Sequence, residues 1–356
     1  MNYQQRIEQL TQVGAFFGAF LKPETRQDFT LLKDDMYQFF EKEVDEASYK
    51  NPWFIRENID HALQAWANAL TRSNIEDWLN SYPDLKNHFE KDTKRVGIVM
   101  AGNIPLVGFH DFICCFLSGH HAVIKLSKDD HILFRAIAKI MEHINPSYTE
   151  LFSIVDKLEN FDAVIATGSN NTARYFDYYF GKYPHIIRKN RNSIAVLSGN
   201  ESENELSKLG EDIFRYFGLG CRNVSKLYVP VGYDFKHFFE AIQKYEKVQF
   251  QSKYVNNYDF NKSIYLVNKE DHFDNGFLLL KEDLAIGSPI SVVYFEYYND
   301  IESVRANLSN RYEEIQCIVG GKSLGVDFVH FGEAQNPILW DYADGIDTLK
   351  FLMNLK

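Results

Sequence analysis

The sequence predicts an α/β protein, with an open parallel sheet behind a helical N-terminal region. Three observations carry that expectation. Short apolar, β-branched runs alternate with helix-length segments between residues 95 and 197, as strands buried on both faces of a parallel sheet require. The residues before them repeat their apolar positions with helical spacing. The chain has 356 residues, 45% hydrophobic and 24% charged, which is enough for two domains or for one large domain with an insert.

In chain order, residues 4 to about 90 read as helical. Ile55, Ile59, Leu63, Trp66 and Leu70 lie on one helix face. Asn51-Pro52 reads as the start of that helix, a capping side chain followed by proline in the first turn. Residues 95–101 (RVGIVMA) then read as a buried strand, Gly102-Asn103-Ile104-Pro105 as a turn, and 106–117 as a helix. Residues 122–126 (AVIKL) form a second strand, 129–144 a second helix, and 161–166 (FDAVIA) a third strand closed by Thr167-Gly168-Ser169. A helix over 172–180 follows, and Ile186-Ile187 and 193–197 supply further strands. Beyond them, 207–217 and 234–245 read as helices and 226–229 as a strand. Residues 250–262, polar and rich in Asn and Tyr, read as surface loop, with later strands at 263–267, 290–295 and 315–319.

Composition excludes some functions. A net charge of −11 without a Lys/Arg run argues against general nucleic-acid binding. No stretch reaches the ~18 uncharged apolar residues of a membrane span. The N-terminus does not read as a signal peptide, and four cysteines in 356 residues make no disulfide framework. A reduced, cytoplasmic protein is expected.

The candidate chemistry begins at Gly218-Leu219-Gly220-Cys221. Glycines let the backbone turn sharply before the thiol, the geometry a nucleophile and an oxyanion site need; a packed, inert thiol is the alternative. Asn103, at the C-terminal end of the first strand, lies where α/β sheets gather ligands, and its amide can donate to an oxyanion or shape its own turn. Lys125 lies at the end of the second strand, with Ser127 and Lys128 just beyond, in a position suited to ribose or phosphate, or to solvent alone. Thr167-Gly168-Ser169 precedes a helix whose N–H groups can take a pyrophosphate, or serves as an ordinary cap. The sequence lacks the G-x-G-x-x-G, Walker and G-x-S-x-G signatures. His110 and Cys114 stand four apart on one helix, but Cys114-Cys115 sits in an apolar run where buried thiols are usual, so no metal is expected. Cys317 reads as core strand.

Taken in order, these pieces resemble the aldehyde dehydrogenase superfamily, and within it the acyl-CoA reductase branch of LuxC-like fatty acid reductases. The block from Ala101-Gly102-Asn103-Ile104-Pro105 through Ile124-Lys125-Leu126-Ser127 is similar to the asparagine-proline turn, helix and ribose-lysine strand of that superfamily. Thr167-Gly168-Ser169 is similar to its cofactor turn, and Gly218-Leu219-Gly220-Cys221 to its catalytic loop. The resemblance spans about 95–345.

It implies two parallel-sheet α/β domains, one cofactor-binding and one catalytic, with boundaries expected at 1–92 (helical), 93–198 (cofactor), 199–331 (catalytic) and 332–356 (a tail returning to the cofactor domain). It implies Cys221 as acyl-carrying nucleophile, Asn103 as oxyanion donor, and Lys125, Ser127, Lys128, Thr167, Gly168 and Ser169 as cofactor contacts. The superfamily's general-base glutamate has no counterpart in 187–193 (IRKNRNS). Hydrolysis of an acyl-enzyme then lacks a base to activate water, which favours thioester chemistry. Lys128 stands where NAD-using relatives often carry glutamate, so NADPH is the expected cofactor. The expected substrate is a long-chain acyl-CoA or an acyl-protein thioester, reduced to the aldehyde. An acyl-phosphate reductase and a thioester acyltransferase remain as alternatives. The resemblance leaves a homo-oligomer open, although a chain shorter than most relatives is expected to trim the superfamily's oligomerisation arm.

Overall fold

The computed structural model describes residues 1–88, 93–321 and 328–355. They form two compact units, 1–189 with 338–356, and 190–337. The boundary expected at residue 92 lies outside the described residues.

The first unit opens with α1 (Tyr3–Leu21), α2 (Asp34–Lys50), α3 (Arg56–Ala69), α4 (Arg72–Leu79) and the single turn α5 (Leu85–His88). Next come β1 (Arg95–Val99), α6 (Phe109–Leu117), β2 (His121–Lys125), α7 (Ile132–Ile144), β3 (Phe152–Ile154), β4 (Ala163–Thr167), α8 (Asn170–Phe180) and β5 (His185–Arg188). The five strands pair in the order β3-β2-β1-β4-β5, all parallel. The middles of β1, β2 and β4 are almost wholly buried apolar residues, the pattern of strands covered on both faces. The N-terminal helices share one core with this sheet: Phe16, Phe17, Phe40 and Trp78 belong to the same buried cluster as Phe109, Phe112 and Phe116 of α6.

The second unit holds β6 (Asn192–Val196), α9 (Glu203–Phe214), β7 (Val224–Pro230), α10 (Phe235–Ala241), α11 (Ser252–Asn268), β8 (Phe273–Asp274), β9 (Leu279–Glu282), β10 (Val292–Tyr298), α12 (Ile301–Asn310) and β11 (Ile315–Gly320). Its sheet runs β11-β6-β7-β10-β9-β8, parallel except for the two-residue edge strand β8. The chain then returns to the first unit with α13 (Thr348–Met353). Buried polar contacts hold this return in place. Trp78 Nε1 donates to Tyr342 Oη at 2.9 Å, His120 Nε2 to the Leu352 carbonyl at 3.0 Å, and Arg188 to Thr348 Oγ1 at 2.8 Å.

Several elements differ from expectation for identifiable reasons. The strand at 193–197 pairs with β7 and β11, not with the first sheet. Only residues 189–191 separate β5 from β6, and a parallel neighbour needs a crossover of about a dozen residues. From residue 252 on, the loop expected at 250–262 and the strand expected at 263–267 are one helix, α11. Its buried face is Tyr254, Tyr258, Asn261 and Tyr265, a helical stripe written in tyrosine and asparagine, which apolar patterning passes over. Asn51 does not cap α3: it follows α2, accepts from Trp53 N at 3.1 Å and donates to the Asp129 carbonyl at 3.1 Å. The helix expected from 106 starts at Phe109, because Leu106 adopts a left-handed φ of 59°.

Candidate active site

In the first unit the expected cofactor residues share one edge of the sheet. Lys125 is the last residue of β2, paired with Val99 of β1, and Thr167 is the last of β4. β2, β1 and β4 are neighbours, so Lys125, the Gly102–Asn103 turn and Thr167-Gly168-Ser169 all follow the carboxyl ends of adjacent parallel strands, where ligands of open α/β sheets bind. Lys125, Lys128 and Asn103 are exposed, and Ser127 is half-buried.

The two loops after β1 and β2 interlock. A Cβ on Gly102 would lie 2.5 Å from Ser127 Oγ and 3.0 Å from the Asp130 backbone nitrogen, so only glycine lets them approach this closely. Asp130, buried, accepts the Leu106 N–H through Oδ2 at 2.7 Å, and its Oδ1 has no partner. This bond fixes the left-handed turn that carries Asn103. Burial pushes the Asp130 carboxyl up to about 7, against the opposing pull of the Leu106 N–H. Sequence reading missed Asp130, since a carboxylate two residues past Lys128 gives no sign that it is buried.

The third turn has a structural duty as well. Ser169 caps α8, accepting from Thr172 N at 3.3 Å, and the Gly168 N–H donates to the Arg188 carbonyl at 3.3 Å. Arg188, in the segment without a general base, is buried and donates to Asp111 Oδ2 at 2.5 Å. It acts as half of an internal ion pair.

His110 and Cys114 do meet, at 3.6 Å, and the other ring nitrogen of His110 donates to the Leu339 carbonyl at 2.8 Å. Burial pushes the Cys115 thiol up to about 12 and Cys114 well above its usual range, opposite to what a metal thiolate needs. Among the described residues, no group of three or more His, Cys, Asp or Glu side chains is placed to hold a metal ion.

In the second unit Cys221 lies between α9 and β7 and is half-buried. The chain leaves α9 through three consecutive left-handed residues, Tyr216, Phe217 and Gly218. For non-glycine residues that conformation costs of order 1–3 kcal/mol each, so the loop is held by its surroundings. Arg222, the residue after Cys221, donates through Nε to the Ala334 carbonyl. Asp212, buried, accepts from the N–H groups of Gly332 at 2.7 Å and Ala334 at 2.9 Å, and burial pushes its carboxyl up to about 7. Cys317 is not core as expected. It is half-buried, with Sγ 3.0 Å from Ser193 Oγ, the same hydroxyl that donates to the Cys221 carbonyl at 3.0 Å.

Comparison with known proteins agrees with this architecture. Among solved structures, the chain is similar to aldehyde dehydrogenase 21 from Physcomitrella patens, in complex with the reaction product succinate (15% identity, 99% of this chain and 84% of that one, TM-score 0.64). It is similar to a Mycobacterium tuberculosis aldehyde dehydrogenase complexed with NAD+ (12% identity, 93% and 77%, TM-score 0.62) and to an E. coli NADP dependent enzyme (12% identity, 95% and 79%, TM-score 0.62). At such identities the likeness concerns the fold, which is that of the aldehyde dehydrogenases. No curated protein sequence matches the chain. Among the described residues no helix is long and apolar enough to cross a membrane. The family model for acyl-CoA reductase (LuxC) matches residues 24–244, more than half of the sequence, and the chain belongs to that family.

Proposed function

We propose that the protein reduces a long-chain acyl thioester, as acyl-CoA or acyl-protein, to the aldehyde with NADPH, through an acyl group carried on Cys221. The observation that carries this reading is Cys221 itself. It stands in a turn closed on both sides by side-chain bonds, in a chain of the acyl-CoA reductase family.

The Cys221 thiolate attacks the thioester carbonyl, forming a new carbon–sulfur bond. The Asn103 amide and the Cys221 backbone N–H donate to the oxyanion. The bond to the departing thiol then breaks, and that thiol leaves as a thiolate. Residues 187–193 contain no carboxylate, so water is not activated and the acyl group waits on sulfur. Dinucleotide binding falls to the exposed ammonium groups of Lys125 and Lys128, the Ser127 hydroxyl and the N-terminal turn of α8 behind Thr167-Gly168-Ser169. The close approach at Gly102 holds the Asn103 turn against the loop that carries Ser127 and Lys128, so these candidate contacts are set side by side. When bound, the nicotinamide supplies the hydride that converts the acyl group to aldehyde. Collapse to the aldehyde returns the electron pair of the carbon–sulfur bond to Cys221.

The test offers the purified protein palmitoyl-CoA and NADPH and follows loss of the reduced-cofactor absorbance. Oxidation with aldehyde formation, abolished in Cys221→Ser, is the expected result. Turnover of an acyl phosphate but of no thioester refutes the thioester reading. Labelled acyl-enzyme without cofactor oxidation makes the protein an acyltransferase.

A further inference from the structure

We propose that Asn223 and Ser193 are positioning residues that set the backbone of Cys221 for attack. The inference rests on the reading of Cys221 as the acyl-carrying residue.

It starts from an unmet need at the end of α9. The last carbonyls of a helix have no partner inside it. Here the Arg215 N–H takes the Glu211 carbonyl, and the chain then turns away through the left-handed residues Tyr216, Phe217 and Gly218. The amide of Asn223, only 3% exposed, takes over. Its Nδ2 donates to the carbonyls of Asp212 at 3.0 Å and Arg215 at 2.8 Å, with a longer approach to Ile213 at 3.4 Å. Its Oδ1 accepts the N–H of Gly220 at 2.8 Å. One side chain thus binds both ends of the loop that runs up to Cys221.

The same asparagine also closes the turn that holds the thiol. Asn223 N donates to the Gly220 carbonyl at 3.0 Å, which leaves Cys221 and Arg222 at the two corners of a four-residue turn. Ser193, at the start of β6 and fully buried, completes the support. Its hydroxyl donates to the Cys221 carbonyl at 3.0 Å and accepts the Cys317 N–H at 3.2 Å, while its own N–H donates to the Asn223 carbonyl at 3.3 Å. The peptide groups on both sides of Cys221 are therefore held, the Gly220 carbonyl by the Asn223 backbone N–H and the Cys221 carbonyl by the Ser193 hydroxyl, and neither donor has an evident part in the bond changes. A shift of about 1 Å at a reacting centre is enough to cost roughly 100-fold in rate, so these bonds belong to the reaction as well as to the fold.

The experiment compares Asn223→Asp, Ser193→Ala and Ser193→Thr with the wild type and with Cys221→Ser, each checked for folding by circular dichroism and thermal midpoint. Asn223→Asp keeps the acceptor for Gly220 but turns an oxygen towards carbonyl oxygens. Expected is a fall in kcat for thioester reduction of about 100-fold in Asn223→Asp and about tenfold in Ser193→Ala, with KM for the acyl donor within about threefold. Ser193→Thr, which restores a hydroxyl, recovers most of the loss. Folded Asn223→Asp and Ser193→Ala variants with wild-type kcat overturn the inference while leaving the Cys221 reading intact. Full turnover in Cys221→Ser overturns both. If Asn223→Asp does not fold, the Ser193 pair decides: loss in the alanine variant with recovery in the threonine variant supports positioning, and equal rates in the two refute it.

Discussion

The Asp130 carboxylate accepts the backbone N–H of Leu106 at 2.7 Å, across two loops that leave neighbouring strands. The bond joins the turn bearing Asn103 to the loop bearing Ser127 and Lys128, so one buried carboxyl sets both candidate ligand loops. Replacing it with alanine leaves a buried N–H without a partner. Asp130→Ala is expected to lose ~1–3 kcal/mol, read as a lower urea midpoint.

Asp130 and Asp212 also set a pH dependence. Both carboxyls are raised by burial to about 7, above the ~3.9 of an unfolded aspartate. The folded state therefore binds their protons more tightly than the unfolded state. Their contribution is fully present below about pH 4 and is lost as pH rises through about 7. Asp130→Asn, which cannot titrate, is expected to flatten the fall of stability between those limits. Urea titrations of the wild type and the variant across the range measure the difference, and parallel curves would count against the assignment.

Asn103 is exposed, so its loss should cost chemistry and not stability. Asn103→Ala is expected to keep its thermal midpoint and lose about 100- to 1,000-fold in kcat, the usual cost of one oxyanion donor. Single-turnover formation of the acyl-enzyme is the direct readout.

Lys128 is expected to bear on cofactor choice. With glutamate in its place, a charge that would pair with a 2′-phosphate becomes one that repels it. The NADPH:NADH ratio of kcat/KM should fall by about tenfold or more, the equivalent of one charge-assisted hydrogen bond of ~1.5–3 kcal/mol. An unchanged ratio removes Lys128 from cofactor selection.

The buried Arg188–Asp111 pair should matter to folding alone. Removing only the carboxylate, as in Asp111→Ala, strands a guanidinium in the core at a cost of roughly 3–5 kcal/mol. Chemical denaturation of that variant, beside one in which both residues are apolar, tests this. The double variant should recover most of the loss.

Sequence by itself determined the alternation of strand and helix from residue 95 to about 188, and with it the first parallel sheet. Buried parallel strands must be apolar along their whole length, and that demand is written locally. It also marked Asn103, Lys125 and Thr167 as strand-end residues and Cys221 as a thiol behind a glycine turn, because chain order alone places a residue at the carboxyl end of a strand. Tertiary structure decided the rest. The helix α11 hides its packing face in tyrosines that pair with distant partners, as Tyr254 does with the Phe277 carbonyl at 2.9 Å. Strand β6 went to the second sheet because three residues cannot make a parallel crossover. Asp130, Asn223 and Ser193 drew no notice because a carboxylate, an amide and a hydroxyl are each ordinary in sequence. What gives them a role is burial beside the backbone groups they bond, and only the folded chain brings those groups within reach.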